Sequence, residues 1–338
     1  MTDASPATAS TVVVVPDSFK GTLSAAAVAA ALAAGVRDAG HAAVELPAGD
    51  GGEGTTDGLL AVLGGDRLTA VVADPLGRPV EAAFAMTPDG RAIVESAEAC
   101  GLHRLGPGEL GPSSAWRAST RGAGQLIAAA AAAGATRIVV AVGGSATTDG
   151  GRGAIDALRA VGRPLPPIDV LCDVTTPYEA AARVFGPQKG ADPATVERLE
   201  RRLETMARAL PCDPRGRPLT GGAGGLAGAL WAELGATLVP GAPYVLNALR
   251  FDARIARAAL VITGEGALDE QTGEGKIVGE VARRCARLGR PCHAVVGRNR
   301  LRAPGPERLG LASVVEASTP LDLRAAGKRL AEGLVFAR

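Results

Sequence analysis

Hydrophobic positions along this chain come in short β-branched runs. Each is followed by a polar, glycine-rich stretch and then by a segment with helical spacing. The first run is TVVVV (residues 11–15), a continuous apolar stretch of the kind that a strand buried on both faces requires. It ends in PDSFKG, after which Ser24 is placed to cap an alanine-rich helix running to about Gly40. AAVELP reads as a second strand and AGDGGEGTTDG as its loop. Further on, DGRAIVESA, TRIVVAV and DVLCDV read as strands, and ALVITGEGALDEQTGEGK as a strand entering a long loop. A helix from about Gly279 to Leu288 follows, then two more strand-like runs, CHAVVG and ASVVEAS. The clearest helix spans Asp192 to about Leu210. Asp192 caps it, Pro193 suits its first turn, Leu199, Leu203 and Met206 share one face, and Pro211 stops it.

Strands alternating with helices predict an α/β fold with parallel sheets. Sites in such sheets lie beyond the carboxyl ends of the strands, which is where the polar loops fall. The N- and C-terminal parts repeat one scheme and read as a single discontinuous domain, residues 11–72 with 255–338. Residues 73–254 read as a second α/β domain inserted into it.

Composition narrows the functional classes. The chain has 338 residues, 47% of them hydrophobic, enough for a sizeable core, although alanine supplies much of it. A formal net charge of +1 gives no long-range field for a polyanion, so no nucleic-acid partner is expected. The arginine run RNRLRAPGPERLG (298–310) reads as a solvated face. The five cysteines are scattered without a C-x-x-C pair, and with three histidines they form no zinc motif. A reducing cytoplasm fits this usage. MTDASPATAS lacks the character of a signal peptide, and the runs AAAVAAALAAGV and LIAAAAAAGA are too short to span a bilayer. No membrane role is expected.

Five loops carry candidate chemistry: Pro16–Gly21, Gly49–Thr55, Gly143–Gly151, Asp173 through FGPQKGA (185–191), and Gly264–Lys276. Glycines let backbone approach a ligand and present N–H groups to phosphate oxygens. Carboxylates can hold Mg²⁺, which takes oxygen ligands and commonly bridges phosphates. Lys20, Lys189 and Lys276, among the few lysines of an arginine-dominated chain, each sit in one of these loops. Together the loops favour phosphoryl transfer, which needs positioning and charge neutralisation more than reactive side chains. Other templates fail. TGEGKI is not a P-loop, and no G-x-S-x-G elbow occurs. GAGGLA (222–227) loosely fits a dinucleotide fingerprint, but RGRPLTG rather than a buried strand precedes it. Gly225 and Gly228 instead read as a helix start lying close to another backbone.

The motifs PDSFKG, DGGEGT, GGSATTDGG, CDVTTP with FGPQKGA, GGAGGLAGAL and VITGEGALDEQT…GK stand here in the order found in the bacterial type I glycerate kinases. The chain resembles that family from about Val12 to about Ala282. The resemblance implies ATP-dependent phosphorylation of D-glycerate, usually at the 2-hydroxyl. It also implies a two-domain α/β fold, one domain flavodoxin-like and discontinuous, with the active site in the cleft. Asp17, Ser18 and Lys20 match the first family block, Asp50 and Glu53 the second, and Gly143, Gly144, Ser145, Thr147 and Asp149 the third. Asp173, Gln188 and Lys189 match the next pair, and Glu265, Asp269, Gln271 and Lys276 the last.

On this reading Asp173 is the expected base, with Asp269 second, and Lys20 and Lys189 neutralise charge on the transferring group. Gly143, Gly144, Ser145, Thr147, Ser18, Glu265 and Lys276 would hold ATP, with Asp50 and Asp149 on Mg²⁺. The partner is a small hydroxy acid, and the reading leaves room for a homodimer. Three departures from the family pattern bear on the acceptor. The segment RGAIDALRAVGRPLPPIDVL is shorter than usual, Thr176 replaces an asparagine with YEAAARV following, and Ala267 replaces an arginine. They keep two alternatives in view: a kinase for another small hydroxy acid, and a non-catalytic ligand-binding descendant.

Overall fold

The computed structural model describes residues 10–19, 21–172, 174–269, 272, 276–301 and 305–335. Its strands are, in chain order, β1 (Thr11–Pro16), β2 (Ala42–Glu45), β3 (Asp66–Ala73), β4 (Pro79–Met86), β5 (Arg91–Glu95), β6 (Arg137–Ala141), β7 (Ile168–Cys172), β8 (Thr237–Pro240), β9 (Leu260–Leu268), β10 (Cys292–Asn299) and β11 (Ser313–Glu316). The chain divides into two compact units, residues 1–49 with 245–338, and residues 50–244.

In the first unit the strands lie in the order β11-β10-β9-β1-β2, all parallel. Counted along this unit the order is 2-1-3-4-5, the doubly wound flavodoxin-like arrangement. Its connections diverge between β1 and β9, where they leave a crevice at the carboxyl ends. Val12, Val14, Ile262 and Val295 fill one face of the sheet against Val28, Leu32 and Leu323. The helix Ala25–Asp38 starts where Ser24 Oγ accepts the Ala27 N–H at 3.2 Å. It packs against the helix Pro320–Glu332 so closely that a Cβ on Gly35 would fall 1.9 Å from the Arg324 carbonyl oxygen.

In the second unit the order is β3-β4-β5-β6-β7-β8. β3 and β4 run antiparallel to their neighbours, while β5 to β8 are parallel. The helices Arg121–Ala132 and Arg152–Val161 bury Leu126, Ile127, Ile155 and Leu158 against Val94, Ile138, Val140 and Val170. The sequence reading drew its boundary after residue 72. The units divide instead at Gly49, because β3 pairs with β4 from Asp66↔Met86 to Ala73↔Pro79. Residues 245–254 go with the first unit. The helix expected at 192–210 is Pro193–Ala207, with Asp192 accepting from Thr195 N at 2.8 Å. No helix among the described residues is long and apolar enough to cross a membrane.

Candidate active site

A buried polar arrangement lies at the carboxyl ends of β6 and β7 in the second unit. After Ala141 the chain turns through Gly143 and Gly144, whose φ of +75° suits glycine. The turn is pinned by three backbone bonds: Leu102 N to Gly144 O (3.1 Å), Ala146 N to Cys100 O (2.8 Å) and Gly143 N to Gly51 O (3.0 Å). The 3₁₀ turn Pro187–Lys189 delivers the Lys189 ammonium into it. Lys189 is 4% exposed, donates to Thr147 O at 2.6 Å, and lies 3.2 Å from Ser145 Oγ. Its Nζ is also 6.0 Å from the centroid of the Phe185 ring. A pocket of about 80 Å³ opens here, bordered by Gly143, Gly144, Ser145, Gln188, Lys189 and Ala223. A buried ammonium facing glycine-rich backbone is suited to an oxyanion.

The loop Gly221–Gly228 closes one side of this arrangement. Ala223, Gly224 and Gly225 are all left-handed, with φ of +49°, +63° and +100°. Thr147 Oγ1 donates to Ala223 O at 3.3 Å, and a Cβ on Gly224 would fall 2.1 Å from Thr147 O. The close backbone approach expected at Gly225 and Gly228 is also found: a Cβ there would fall 2.8 Å from Gly150 Cα and 2.9 Å from Thr220 O respectively. Tyr178, within the divergent YEAAARV stretch, is fully buried. Its hydroxyl donates to Gly150 O at 2.9 Å and its backbone N–H to Thr220 Oγ1 at 2.9 Å. The departure from the family pattern therefore ties the 143–151 turn to the 220–228 loop.

Asp50 and Asp149 have unlike surroundings. Asp50, 2% exposed, accepts from Gly52 N at 3.1 Å through Oδ1, whereas its buried Oδ2 has no hydrogen-bond partner among the described residues. Asp149 Oδ2 accepts from Thr120 N (2.8 Å), Thr120 Oγ1 (2.9 Å), Gly153 N (3.2 Å) and Ser119 Oγ (3.3 Å). Its Oδ1 accepts from Gly151 N at 3.1 Å. Glu53, beside Asp50, is exposed.

The sequence reading missed Glu95, at the end of β5. It accepts from Thr56 N at 2.6 Å and Gly54 N at 3.3 Å, and so holds the 50–56 loop to the sheet. Burial pushes its carboxyl up to about 7, against the lowering effect of these bonds. A lone carboxylate inside the apolar run AIVESA was the available signal.

In the first unit, Asp17 N donates to Gly264 O at 2.8 Å, so the Asp17–Ser18 turn lies at the β1/β9 switch point. The buried Ser18 Oγ has no hydrogen-bond partner among the described residues. Beyond β9, Thr272 Oγ1 donates to Glu265 Oε1 (2.7 Å) and accepts from Asp269 N (3.1 Å). Lys276 Nζ lies 3.5 Å from Asp269 Oδ1 and 3.8 Å from Glu265 Oε2. Thr272, also missed, is the buried hydroxyl that joins the Glu265 carboxylate to the Asp269 backbone. Lys20, Asp173 and Gln271 lie outside the described residues.

The profile of the glycerate kinase family matches residues 12–162 and 166–336. The break falls inside the short segment that departs from the family pattern. Glycerate 2-kinase of Escherichia coli K12 is 37% identical over 325 residues, covering 85% of this chain and 84% of that protein. Glycerate kinase of Bacillus subtilis 168 is 35% identical, with the same shares covered. A crystal structure from Salmonella typhimurium LT2, provisionally named glycerate kinase 2, superposes with a TM-score of 0.78 at 33% identity. It covers 97% of this chain and 99% of its own. Fold and likeness together define a two-unit α/β enzyme of the kinase class. The chain belongs to the glycerate kinase family.

Proposed function

We propose that this kinase transfers the terminal phosphoryl group of ATP to the 2-hydroxyl of D-glycerate, giving 2-phosphoglycerate. The observation that carries the reading is the buried Lys189 ammonium at the glycine turn 143–147. Phosphoryl transfer is governed by positioning and by neutralisation of charge on equatorial oxygens. A desolvated ammonium with fixed partners serves that purpose without reorganising during reaction. Backbone N–H groups of the turn and the Ser145 hydroxyl would orient the same oxyanion. In the first unit, Ser18, Glu265 and Lys276 remain the residues proposed for nucleotide. Asp173 remains the proposed base, with Asp269 second. The 2-hydroxyl as acceptor follows the name of the Escherichia coli relative.

Asp50 fits Mg²⁺, because its buried Oδ2 has an acceptor position that no donor among the described residues claims. Among the described residues no three His, Cys, Asp or Glu side chains converge into a metal cage. That suits a cation which keeps waters and phosphate oxygens among its ligands and neutralises phosphate charge. Asp149 does not fit, since all five of its contacts are hydrogen bonds from protein donors. We assign it to holding the turn. None of the five cysteines forms a disulfide with another described residue, which supports a reducing compartment, the cytoplasm.

The test is purified protein with Mg²⁺·ATP and a panel of small hydroxy acids, followed by ³¹P NMR. D-Glycerate should give ADP and a phosphomonoester at C2 with the highest kcat/KM of the panel. A C3 ester, or faster turnover of another acid, would overturn the acceptor assignment. Absence of ADP release with every acid would overturn the reading as a whole.

A further inference from the structure

A second groove in the same unit lies on the Asp149 side of the 143–151 turn, apart from the Lys189 pocket. Its volume is about 490 Å³, and its walls carry Trp116, Arg117, Arg121, Arg152, Asp149 and Arg202 among others. An adjoining groove of about 430 Å³ shares Trp116 and Arg202 and adds Arg198 and Arg201. Volumes of this order suit a small molecule.

Charge in the first groove is unbalanced. Four guanidiniums, from Arg117, Arg121, Arg152 and Arg202, face two carboxylates, Asp149 and Asp156. Asp156 is paired with Arg152 at 2.7 Å, and Asp149 is engaged by its own hydrogen-bond donors. Among the described residues, no carboxylate lies within 4.0 Å of the guanidinium of Arg117, Arg121, Arg198 or Arg202.

The arrangement at Trp116 sharpens the imbalance. Arg202 and Arg198 both stack on its indole, 3.5 Å and 4.1 Å from the ring centroid. Arg202 is half-buried and its Nη2 donates to Trp116 O at 2.9 Å, which fixes one edge of its guanidinium. Burial holds that guanidinium below its ordinary value, and the charge of Arg198 lowers it further while Asp149 opposes them. Two like charges held on one ring beside further unpaired guanidiniums are costly without an anion between them. Guanidinium donors match planar oxyanions in a bidentate manner.

We propose that this arginine-lined groove binds a small, multiply charged oxyanion, of the phosphorylated or polycarboxylate class. It is separate from the Lys189 pocket, although both border the 143–151 turn, Ser145 lining one and Asp149 the other.

The chain has two tryptophans, so Trp231→Phe leaves Trp116 as the sole indole reporter. Inorganic pyrophosphate is titrated into that variant without added metal while Trp116 emission is followed. We expect a saturable change with a Kd on the order of 1 mM or tighter. Arg121→Gln, at an exposed position, and Arg202→Met should each weaken it at least about tenfold. Lys189→Met should leave it in place, which separates this groove from the pocket of the proposed function. No saturable change, or an equal change with KCl at matched ionic strength, overturns the proposal. So does loss in Lys189→Met with retention in Arg121→Gln.

Discussion

The ammonium of Lys189 donates to the carbonyl of Thr147 at 2.6 Å, so one buried cation is tied directly to the backbone of the glycine turn. The contact fixes the charge, which also lies 3.2 Å from Ser145 Oγ, at the pocket that Gly143, Gly144 and Ser145 border. Replacing Lys189 with Met keeps the aliphatic stem and removes the charge. We expect kcat to fall about 10²- to 10³-fold, the range for loss of one preorganised electrostatic group. Stability should fall by about 1–3 kcal/mol from the acceptor left unpaired at Thr147. Lys189→Arg should not restore activity, because a planar fork cannot occupy the site of a compact ammonium. Steady-state kinetics beside urea unfolding checks both parts.

Asp149 separates a metal role from an anchoring role. Its carboxylate accepts from backbone N–H groups of Thr120, Gly151 and Gly153. Thr120 and Gly151 stand at the N-caps of the helices Arg121–Ala132 and Arg152–Val161. Asp149→Ala should therefore cost at least about 3 kcal/mol, since several buried donors lose their acceptor at once. The loss should be the same with and without Mg²⁺ in thermal unfolding. A metal ligand would instead show a raised Mg²⁺ requirement with unchanged stability in EDTA.

These two residues also mark what could be read from the sequence. TVVVV, TRIVVAV and ALVITG announced buried parallel strands because β-branched runs need no partner pattern to be recognised. Their glycine-rich ends then located the Lys189 turn. The β3–β4 hairpin was not read, since residues 66–71 of β3 are largely exposed and carry no run of buried positions. Asp149 and Asp50 look alike in sequence, each an aspartate among glycines. Only their donors distinguish them: among the described residues, five for Asp149 and one for Asp50. Glu95 was missed for a related reason. Its role depends on the amides of Gly54 and Thr56, about forty residues away along the chain, and no local pattern encodes that distance.

In the first unit, Gly35 sets two effects against each other. Helix propensity alone favours Gly35→Ala by about 1 kcal/mol. The new Cβ, however, would fall 1.9 Å from the Arg324 carbonyl oxygen and 2.7 Å from Lys328 N. Both are backbone atoms and cannot rotate away, so the two helices would have to separate. Overpacking of this kind costs about 1–3 kcal/mol or more. We expect net destabilisation, by about 2 kcal/mol, measured by urea unfolding. A stabilised variant would show that the helices Ala25–Asp38 and Pro320–Glu332 do not approach this closely.

Glu95 gives the stability a specific pH dependence. Its carboxyl is pushed from 4.5 to about 7, first by burial, with the Thr56 and Gly54 hydrogen bonds opposing. Between these values the unfolded chain releases a proton that the folded chain retains, so rising pH weakens folding. The cost is absent below about pH 4.5, where both forms are protonated, and complete above about pH 7. At about 1.4 kcal/mol per unit it reaches on the order of 3 kcal/mol. Glu95→Gln cannot titrate, yet its carbonyl can still accept from Thr56 N. The stability of the variant minus that of the parent should therefore rise by on the order of 3 kcal/mol between about pH 4.5 and pH 8. Other titrating groups cancel in that difference, whatever constant offset the lost Gly54 contact adds. Urea unfolding of both proteins at a series of pH values measures it, and a flat difference would mean that Glu95 ionises like an exposed carboxylate.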